Sequence, residues 1–519
     1  MTTGQRRSQM SIAPALMILL MTAVNAFAGS VTPRVDLDHR AVLAHDDVVV
    51  YALIDFDVAD APHDRDAPRP RLNLALVLDR SGSMDERGKM VYARDAAKMM
   101  IDMLGPGDRL AVVEYDDEVT VLWPSSFVDS PGPIKRRIDG LEPRGSTDLF
   151  GGLMGGADEV LPHRDGCDIT RVVLLSDGLA NRGLTDQREI VRRVRRLGEQ
   201  GVSVTTLGLG LEYNEDLMEA IAGAAGGNYA FIENPRTMGR IFADELHTLT
   251  TTVARDVAVD YEPAGCVTDV QVYGYETRDR RHGLHIPMEN IYAGETRSLL
   301  LRLEIDTGRP GRLELGNLRL SYVDVLEDRT VEEDLPLSVR VTDDRHQMEI
   351  SRNDRVTVEA NLIDADRRLD GIVRMYDKGD RTLATEALKT LNDDIIALNS
   401  SVPDVKLSAK LEDLAIQQQD MDAAADDSRA AESYIKQQKA NIRLSNKGKQ
   451  QHFMLTDKDR GPEVVRLQEA LHTAGVYDGP MDGVFSDEVG AAIKEFQKQR
   501  GLTVDGMAGP KTQRELKLR

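Results

Sequence analysis

The run Leu72-Asn73-Leu74-Ala75-Leu76-Val77-Leu78-Asp79 constrains this chain more than any other stretch. It is shorter than the ~20 residues a helix needs to span a membrane. It is also too continuously apolar for a strand with one wet face. A strand buried on both faces fits it, and such strands belong to parallel sheets covered by helices. In open sheets of that kind, ligands sit just beyond the carboxyl ends of the strands. The run ends in Asp79, and Ser81 and Ser83 follow at alternate positions. One carboxylate and two hydroxyls therefore stand where a doubly wound fold keeps its site. A donor set made only of oxygens suits a hard cation such as Mg²⁺, which holds oxygen ligands in near-octahedral order and keeps some of its waters.

Two further pieces lie downstream. Gly145-Ser146-Thr147-Asp148 opens a predicted helix and offers the Thr147 hydroxyl, while Val172–Ser176 is a second buried-type strand that leads into Asp177-Gly178. Asp-x-Ser-x-Ser, a Gly-x-Thr turn and a strand running into Ser-Asp-Gly, in that order, resemble the von Willebrand factor type A domain over Arg71–Ala254. In that family these positions form a metal-ion-dependent adhesion site. The resemblance implies that Ser81, Ser83 and Thr147 supply hydroxyls, and that Asp79 and Asp177 bind the ion directly or through water. It implies a divalent cation, Mg²⁺ first, with Mn²⁺ and Ca²⁺ as alternatives. Without the resemblance, Asp79–Ser83 reads as a polar turn that caps a helix. Ser146-Thr147-Asp148 departs from the Gly-Thr-Asn of many members but keeps the threonine.

A length of 519 residues implies several domains. Acidic residues number 87 against 65 basic, for a net charge of -22. That balance argues against nucleic acid as a partner, because phosphate binding needs clustered Lys and Arg. At the N-terminus, Arg6 and Arg7 precede an apolar stretch, Ile12–Val24, which ends in Ala26-Phe27-Ala28. A basic start, a short apolar core and an Ala-x-Ala end predict a cleavable secretory signal over 1–28. Arg6-Arg7 hints at twin-arginine export, against which the polar Gln9 counts. No later run is long enough to span a membrane, and no Cys follows the signal to carry a lipid. The expected location is the periplasm or cell wall. Export permits a disulfide between Cys167 and Cys266, and two unpaired buried thiols are the other reading.

Strands and helices alternate through 71–254, as in a parallel sheet with helices on both faces. From 255 to 342 the pattern changes to strands and turns, with runs at Val267–Val272, Ser298–Ile305, Arg312–Leu315, Arg319–Val323 and Leu335–Val341. This predicts an antiparallel, sandwich-like β domain. The β-rich segment within 29–70 has no partners of its own nearby, so it is expected to pair with that domain. The fold class is then multidomain, with an α/β doubly wound domain inserted into an antiparallel β domain. Residues 343–457 read as a helical spacer, a weakly packed hairpin or linker, because the last stretch has few apolar positions and a polar run at Gln417–Asp420.

The tail, 458–519, uses one turn twice. Met481-Asp482-Gly483-Val484 follows a helix carrying Leu467-Gln468, and Val504-Asp505-Gly506-Met507 follows one carrying Phe496-Gln497. Asp-Gly pairs favour turns because Gly takes positive φ and Asp bonds back to the backbone. The pattern resembles the small all-α peptidoglycan-binding domain, which implies a groove between helices as the binding surface. Asp482, Gly483, Phe496, Gln497, Asp505 and Gly506 are the candidate residues there; read by themselves, Asp482 and Asp505 simply hold their turns.

Two segments thus point to binding. The expected function is a metal-dependent protein-binding adaptor of the bacterial envelope. A partner's carboxylate would complete its metal, and its tail would hold peptidoglycan. A scaffold with a purely structural metal and a metal-assisted cell-wall hydrolase are the alternatives. Against an enzyme, no His-Glu-x-x-His occurs, no nucleophile–base pair can be named, and His282 and His285 read as a loop pair without an acidic partner.

Overall fold

The computed structural model describes residues 30–58, 69–293, 297–325, 327–423 and 462–518, with isolated positions at 431, 434–436, 438, 455, 456 and 459. The expected signal at 1–28 and most of the Pro-rich linker lie outside them.

In chain order the strands are β1 (Val31–Leu37), β2 (Ala41–Leu43), β3 (Asp47–Val58), β4 (Leu72–Asp79), β5 (Arg109–Tyr115), β6 (Val119–Phe127), β7 (Ile169–Ser176), β8 (Ser203–Leu209), β9 (Tyr229–Ile232), β10 (Thr252–Pro263), β11 (Val267–Tyr273), β12 (Arg278–Arg280), β13 (Gly283–Tyr292), β14 (Arg297–Asp306), β15 (Gly311–Asp324) and β16 (Arg329–Thr342). The helices of the α/β unit are α1 (Lys89–Met103), α2 (Pro131–Asp139), α3 (Leu149–Val160), α4 (Gln187–Glu199), α5 (Glu215–Ala224) and α6 (Met238–Thr250).

One sheet has the order β6-β5-β4-β7-β8-β9, parallel except for the edge strand β6. Every residue of β4 and β7 is buried. Alternate side chains feed different cores, as the two-residue period of a strand requires. Leu72, Leu74, Leu76 and Leu78 join a cluster with Met90, Met100, Phe242 and Leu246 from α1 and α6. Ala75 and Val77 join one with Leu153, Ile190 and Ile221 from α3, α4 and α5. Glycines let α3 lie close on the sheet: a Cβ at Gly156 would fall 2.4 Å from Val77 Cγ2. The connections reverse direction between β5 and β7 on either side of β4, which is the topological switch point of such a sheet.

The strands that flank this unit in sequence build two other sheets, β1-β3-β14-β11 and β12-β13-β10-β15-β16-β2. β3 pairs with β14 from Asp47↔Asp306 to Phe56↔Arg297, so the α/β unit is inserted into the β domain. The pairing is antiparallel except for β2 with β16. Two details differ from expectation. The strands β10, β12 and β13 are poorly marked in sequence because polar residues interrupt them, Arg255-Asp256 in β10, all of Arg278–Arg280 in β12, and His285 and Asn290 in β13. The two runs expected at Arg312–Leu315 and Arg319–Val323 are one strand, β15, bent at Gly316, where φ is +129° and a Cβ would lie 2.3 Å from the Glu262 carbonyl oxygen. His285 also lies on β13 rather than in a loop, with Nδ1 2.7 Å from Asp260 on β10. Cys167 and Cys266 are unpaired.

The helices that follow include α7 (Arg345–Ile350), α8 (Asp354–Asp377), α9 (Arg381–Ser401) and α10 (Val405–Ala423). They are better packed than their composition implies. Leu362, Leu369, Leu388, Leu391, Leu407 and Leu414 share one core. Polar residues inside that core misled the sequence reading. Lys410 is buried on Asp366 at 2.6 Å and Asp413 at 3.3 Å, and Gln417 bonds Gln438 and Tyr434 within the packing. Arg355 seats α8 on the β domain through Asp55 and Asp36. The tail consists of α11 (Pro462–Thr473), α12 (Asp487–Arg500) and α13 (Pro510–Glu515) around Leu467, Leu471, Val489, Ile493 and Phe496. Among the described residues, no helix is long and apolar enough to cross a membrane.

One buried ion pair ties β7 to α6. Arg171 is fully buried and its Nη1 donates to Glu245 Oε1 at 2.7 Å, while Thr205 and Asn228 donate to the same carboxylate at 2.6 and 2.9 Å. Burial by itself would raise the Glu245 carboxyl, but the Arg171 charge and these hydrogen bonds hold it below the ordinary glutamate range. A depressed carboxyl stabilises the fold above its unfolded pKa, about 4.3, and that contribution is lost as the pH falls through the folded value. Glu245→Gln should therefore lower stability by about 3–5 kcal/mol near neutrality, because it strands Arg171. Calorimetric melts should show the gap to wild type narrowing as the pH drops below the unfolded value.

Candidate metal centre

β4 and β7 are neighbours and end at Asp79 and Ser176, so the loops after both start at the same edge of the sheet. Asp79 is fully buried. Its Oδ1 accepts the Ser81 N–H at 2.8 Å, closing a tight turn of the kind Asp favours. Its Oδ2 accepts the Ser176 hydroxyl at 2.9 Å and the Tyr115 hydroxyl at 3.3 Å. The turn sends Ser81 and Ser83 back over the sheet edge. Their hydroxyls are 3.1 Å apart, and both meet Asp177 Oδ1, Ser83 at 2.7 Å and Ser81 at 3.4 Å. Asp177 is also fully buried.

Thr147 comes from a third segment, just before α3, whose N-cap Asp148 accepts the Gly151 N–H. The loop after Asp177 holds it in place. Thr147 N–H donates to Asn181 Oδ1 at 2.9 Å, and the N–H groups of Asn181 and Arg182 both donate to the Thr147 carbonyl at 3.2 Å. A Cβ built on Gly178 would lie 3.5 Å from the Thr147 hydroxyl and 3.7 Å from the Ser83 hydroxyl, so these two oxygens flank the same point. Backbone bonds lace the first and third loops together as well, Gly82 N–H to the Gly145 carbonyl and Arg144 N–H to the Arg80 carbonyl. Asp116 underlies that joint, accepting Arg80 Nε at 2.8 Å and Arg144 Nε at 2.7 Å.

All five expected donors thus gather at one sheet edge. Three are neutral hydroxyls and two are carboxylates. Among the described residues no cluster of three or more His, Cys, Asp or Glu side chains is placed to hold a metal. Burial, then the nearby charge of Asp177, pushes the Asp79 carboxyl up to about 6. Two carboxylates this close and this dry are costly to keep ionised together without a cation. Sequence reasoning missed four supporting residues. Tyr115 and Ser176 orient Asp79, and Asp116 ties the loops. Lys89 Nζ lies 2.6 Å from Asp177 Oδ2. Only Lys89 left a signal: it falls on the buried stripe of α1 with Ala93, Ala96 and Met100, where a charge needs a partner.

The six candidate residues of the tail are placed differently. Gln497 is buried; its Nε2 donates to Asp505 Oδ1, the Met507 carbonyl and the Thr512 hydroxyl, while its Oε1 accepts the N–H groups of Asp505 and Gly506. Gln468 repeats the clasp on Asp482, the Val484 carbonyl and the Gly483 N–H. Phe496 is buried in the tail's core. Phe496 and Gln497 therefore face inward and cannot offer a surface to a ligand, and Asp482, Gly483, Asp505 and Gly506 form the clasped turns. The exposed feature is a groove of about 470 Å³ between the turn at Val476–Gly479 and α12, lined by Glu488, Ala491 and Glu495.

Residues 73–244 match the sequence model of the von Willebrand factor type A domain, and residues 460–516 that of a peptidoglycan binding domain. The chain is 31% identical over 229 residues to the uncharacterized protein YfbK of Escherichia coli K12, a match covering 44% of this chain and 40% of that one. It is 30% identical over 295 residues to an uncharacterized protein of Synechocystis, covering 54% of this chain and 68% of the relative. The chain therefore spans well under half of the first relative and about two thirds of the second. Among solved structures, a von Willebrand factor type A protein from Catenulispora acidiphila superposes with a TM-score of 0.61 at 17% identity, over 82% of this chain and 98% of that one. The ArnB paralog VWA2 from Sulfolobus acidocaldarius does so with a TM-score of 0.52 at 15% identity, over 79% and 97%. At these identities the likeness concerns the fold.

The clasps make a direct prediction. Gln497→Ala should cost the tail about 2–3 kcal/mol, because the buried Gly506 N–H and the part-buried Asp505 N–H lose their acceptor and the Met507 carbonyl its donor, and a thermal melt of the full chain should show the tail unfolding early.

Proposed function

This chain belongs to the von Willebrand factor type A domain family, and from that premise we propose that it is a metal-dependent binding protein of the bacterial cell envelope. In this reading Asp79, Ser81, Ser83, Thr147 and Asp177 hold one divalent cation, Mg²⁺ by the hardness of the donors, and the tail grips peptidoglycan. The observation that carries the reading is the meeting of both serine hydroxyls on Asp177 Oδ1, with Thr147 facing them across Gly178. Oxygens alone, two of them charged, are what a hard cation takes.

Asp79 already accepts three hydrogen bonds, which suits holding an ion through water. Asp177 turns Oδ1 to the two serine hydroxyls, so an ion held by the serines would meet that oxygen as well. Three of the five donors are neutral, so the ion keeps much of its charge as a Lewis acid for one further oxygen. A carboxylate on a partner protein supplies such an oxygen. Around the site, Leu179 is 56% exposed on the loop that follows Asp177, giving a partner an apolar contact beside its acid group. No group in the site is placed as a nucleophile with a base, so the reading is binding rather than turnover.

For the tail, the groove beside α12 is the surface left open once the clasp residues face inward. Wall attachment at one end and protein capture at the other would raise the effective concentration of the partner at the wall. An exported location follows from this reading and from the N-terminal sequence pattern.

Three experiments test it. Ser83→Ala removes a half-buried hydroxyl and should weaken Mn²⁺ binding roughly 10-fold or more by calorimetry. A protein captured from envelope extract in Mg²⁺ should be lost with chelator and with Ser83→Ala; capture indifferent to both overturns the adhesion reading in favour of a scaffold. Separately, the full chain should sediment with purified cell-wall sacculi. Ala491→Arg, which fills the groove from an exposed position, should reduce that several-fold without changing metal binding, and undiminished sedimentation would place the wall site elsewhere.

A further inference from the structure

Lys89 is buried inside the metal centre, with only 4% of its surface exposed. Its ammonium lies 2.6 Å from Asp177 Oδ2, on the opposite oxygen from the two serines. The side chain runs past Gly210, at the end of β8, where a Cβ would stand 3.6 Å from Lys89 Cε and φ is +79°. That spacing is ordinary van der Waals contact, so the lysine packs directly against this turn. Burying an ammonium is costly unless it is paired, and here its partner is a residue assigned to the metal.

Charge counting gives this pairing a consequence. Asp79 and Asp177 carry two negative charges and Lys89 one positive. A dication brings the centre to a net charge of plus one; without the lysine the loaded centre would be neutral. In a dry site each unit of charge weighs several times more than in water. The lysine also competes for the carboxylate that the ion needs.

Resting on the metal reading above, we propose that Lys89 is a specificity-determining residue: it weakens the hold on the ion and keeps the loaded centre one charge positive, so that an anionic oxygen from a ligand is preferred over water. The ligand class is therefore a carboxylate, and a neutral amide or hydroxyl is a poor substitute.

The test uses the full chain, with Mn²⁺ as the ion and acetate as the carboxylate. Free Mn²⁺ is read by electron paramagnetic resonance, and acetate binding by the fall in water-proton relaxation as it displaces a bound water. Lys89→Met should bind Mn²⁺ about 10-fold tighter and acetate weaker by a similar factor, while Lys89→Arg, which keeps the charge, should follow wild type in both. Lys89→Gln serves in its place if the methionine variant fails to fold. Mn²⁺ bound no more tightly in the variant, or acetate held as well as by wild type, overturns the proposal. If the variant takes Mn²⁺ and wild type does not, the lysine excludes the ion rather than tuning it, and the proposal is overturned. If neither takes it, the metal reading falls first and this one with it.

Discussion

Asp79 and Asp177 leave the ends of two adjacent parallel strands, and both are fully buried. Like charges so placed repel, and burial compounds the cost. The surroundings meet that cost piece by piece. Ser176 and Tyr115 donate to Asp79, and Ser81, Ser83 and Lys89 donate to Asp177. Parallel strands make such a meeting possible, because every strand end of one direction opens at the same edge of the sheet. The loops are then fixed by backbone bonds between 80–82 and 144–145 and between Thr147 and Asn181–Arg182. A site assembled from three chain segments is in this way held without a long stretch of regular structure.

The insertion determines where that site faces. β7 begins at Ile169, beside a cleft of about 640 Å³ that it shares with Val257 and Ala258 of β10 and His285 and Pro287 of β13. It ends seven residues later, at the edge that carries Asp79 and Asp177. At roughly 3.3 Å per residue, the two ends of β7 are about 23 Å apart. The β domain therefore meets the α/β unit at the end opposite Asp79 and Asp177. The mount is itself held from both sides of the insertion, since β3 before it and β14 after it share ten consecutive register pairs.

Legibility in the sequence followed the physics of each part. β4 and β7 were readable because burial on both faces removes polar residues from the strand, and Asp79 and Asp177 were readable because they break those runs. Ser81 and Ser83 stand out by their spacing after Asp79, while the donor role of both, and of Thr147, is what the family resemblance implies. Lys89, Tyr115 and Asp116 were not, because their roles come from contacts between segments far apart in the chain. β10 and β13 were hidden by polar residues on their exposed sides. The helices after residue 343 hid a core because Lys410 and Gln417 lie inside it with partners supplied by other helices. Phe496 and Gln497 gave the opposite case. Their recurrence in a repeated motif was visible, but the same recurrence serves a clasp that must be buried to work.

The helical region and the tail bear on how the two binding ends relate. α13 meets α10 through Lys511 with Glu412 and Arg514 with Asp420, both pairs partly open to solvent. Pairs of this kind contribute about 0–1 kcal/mol and weaken with salt. The tail's own fold, by contrast, rests on Leu467, Ile493 and Phe496 and on two glutamine clasps. Its stability is thus independent of the contact that seats it. A domain that is firm inside and lightly held outside can exchange a protein neighbour for a wall surface without unfolding. The metal edge has the reverse character: its geometry is fixed by the sheet beneath it, so it gains nothing from moving and acts by charge. Under the proposed function, the tail would decide where the molecule is kept, while Asp79, Asp177 and Lys89 together would decide what it holds there.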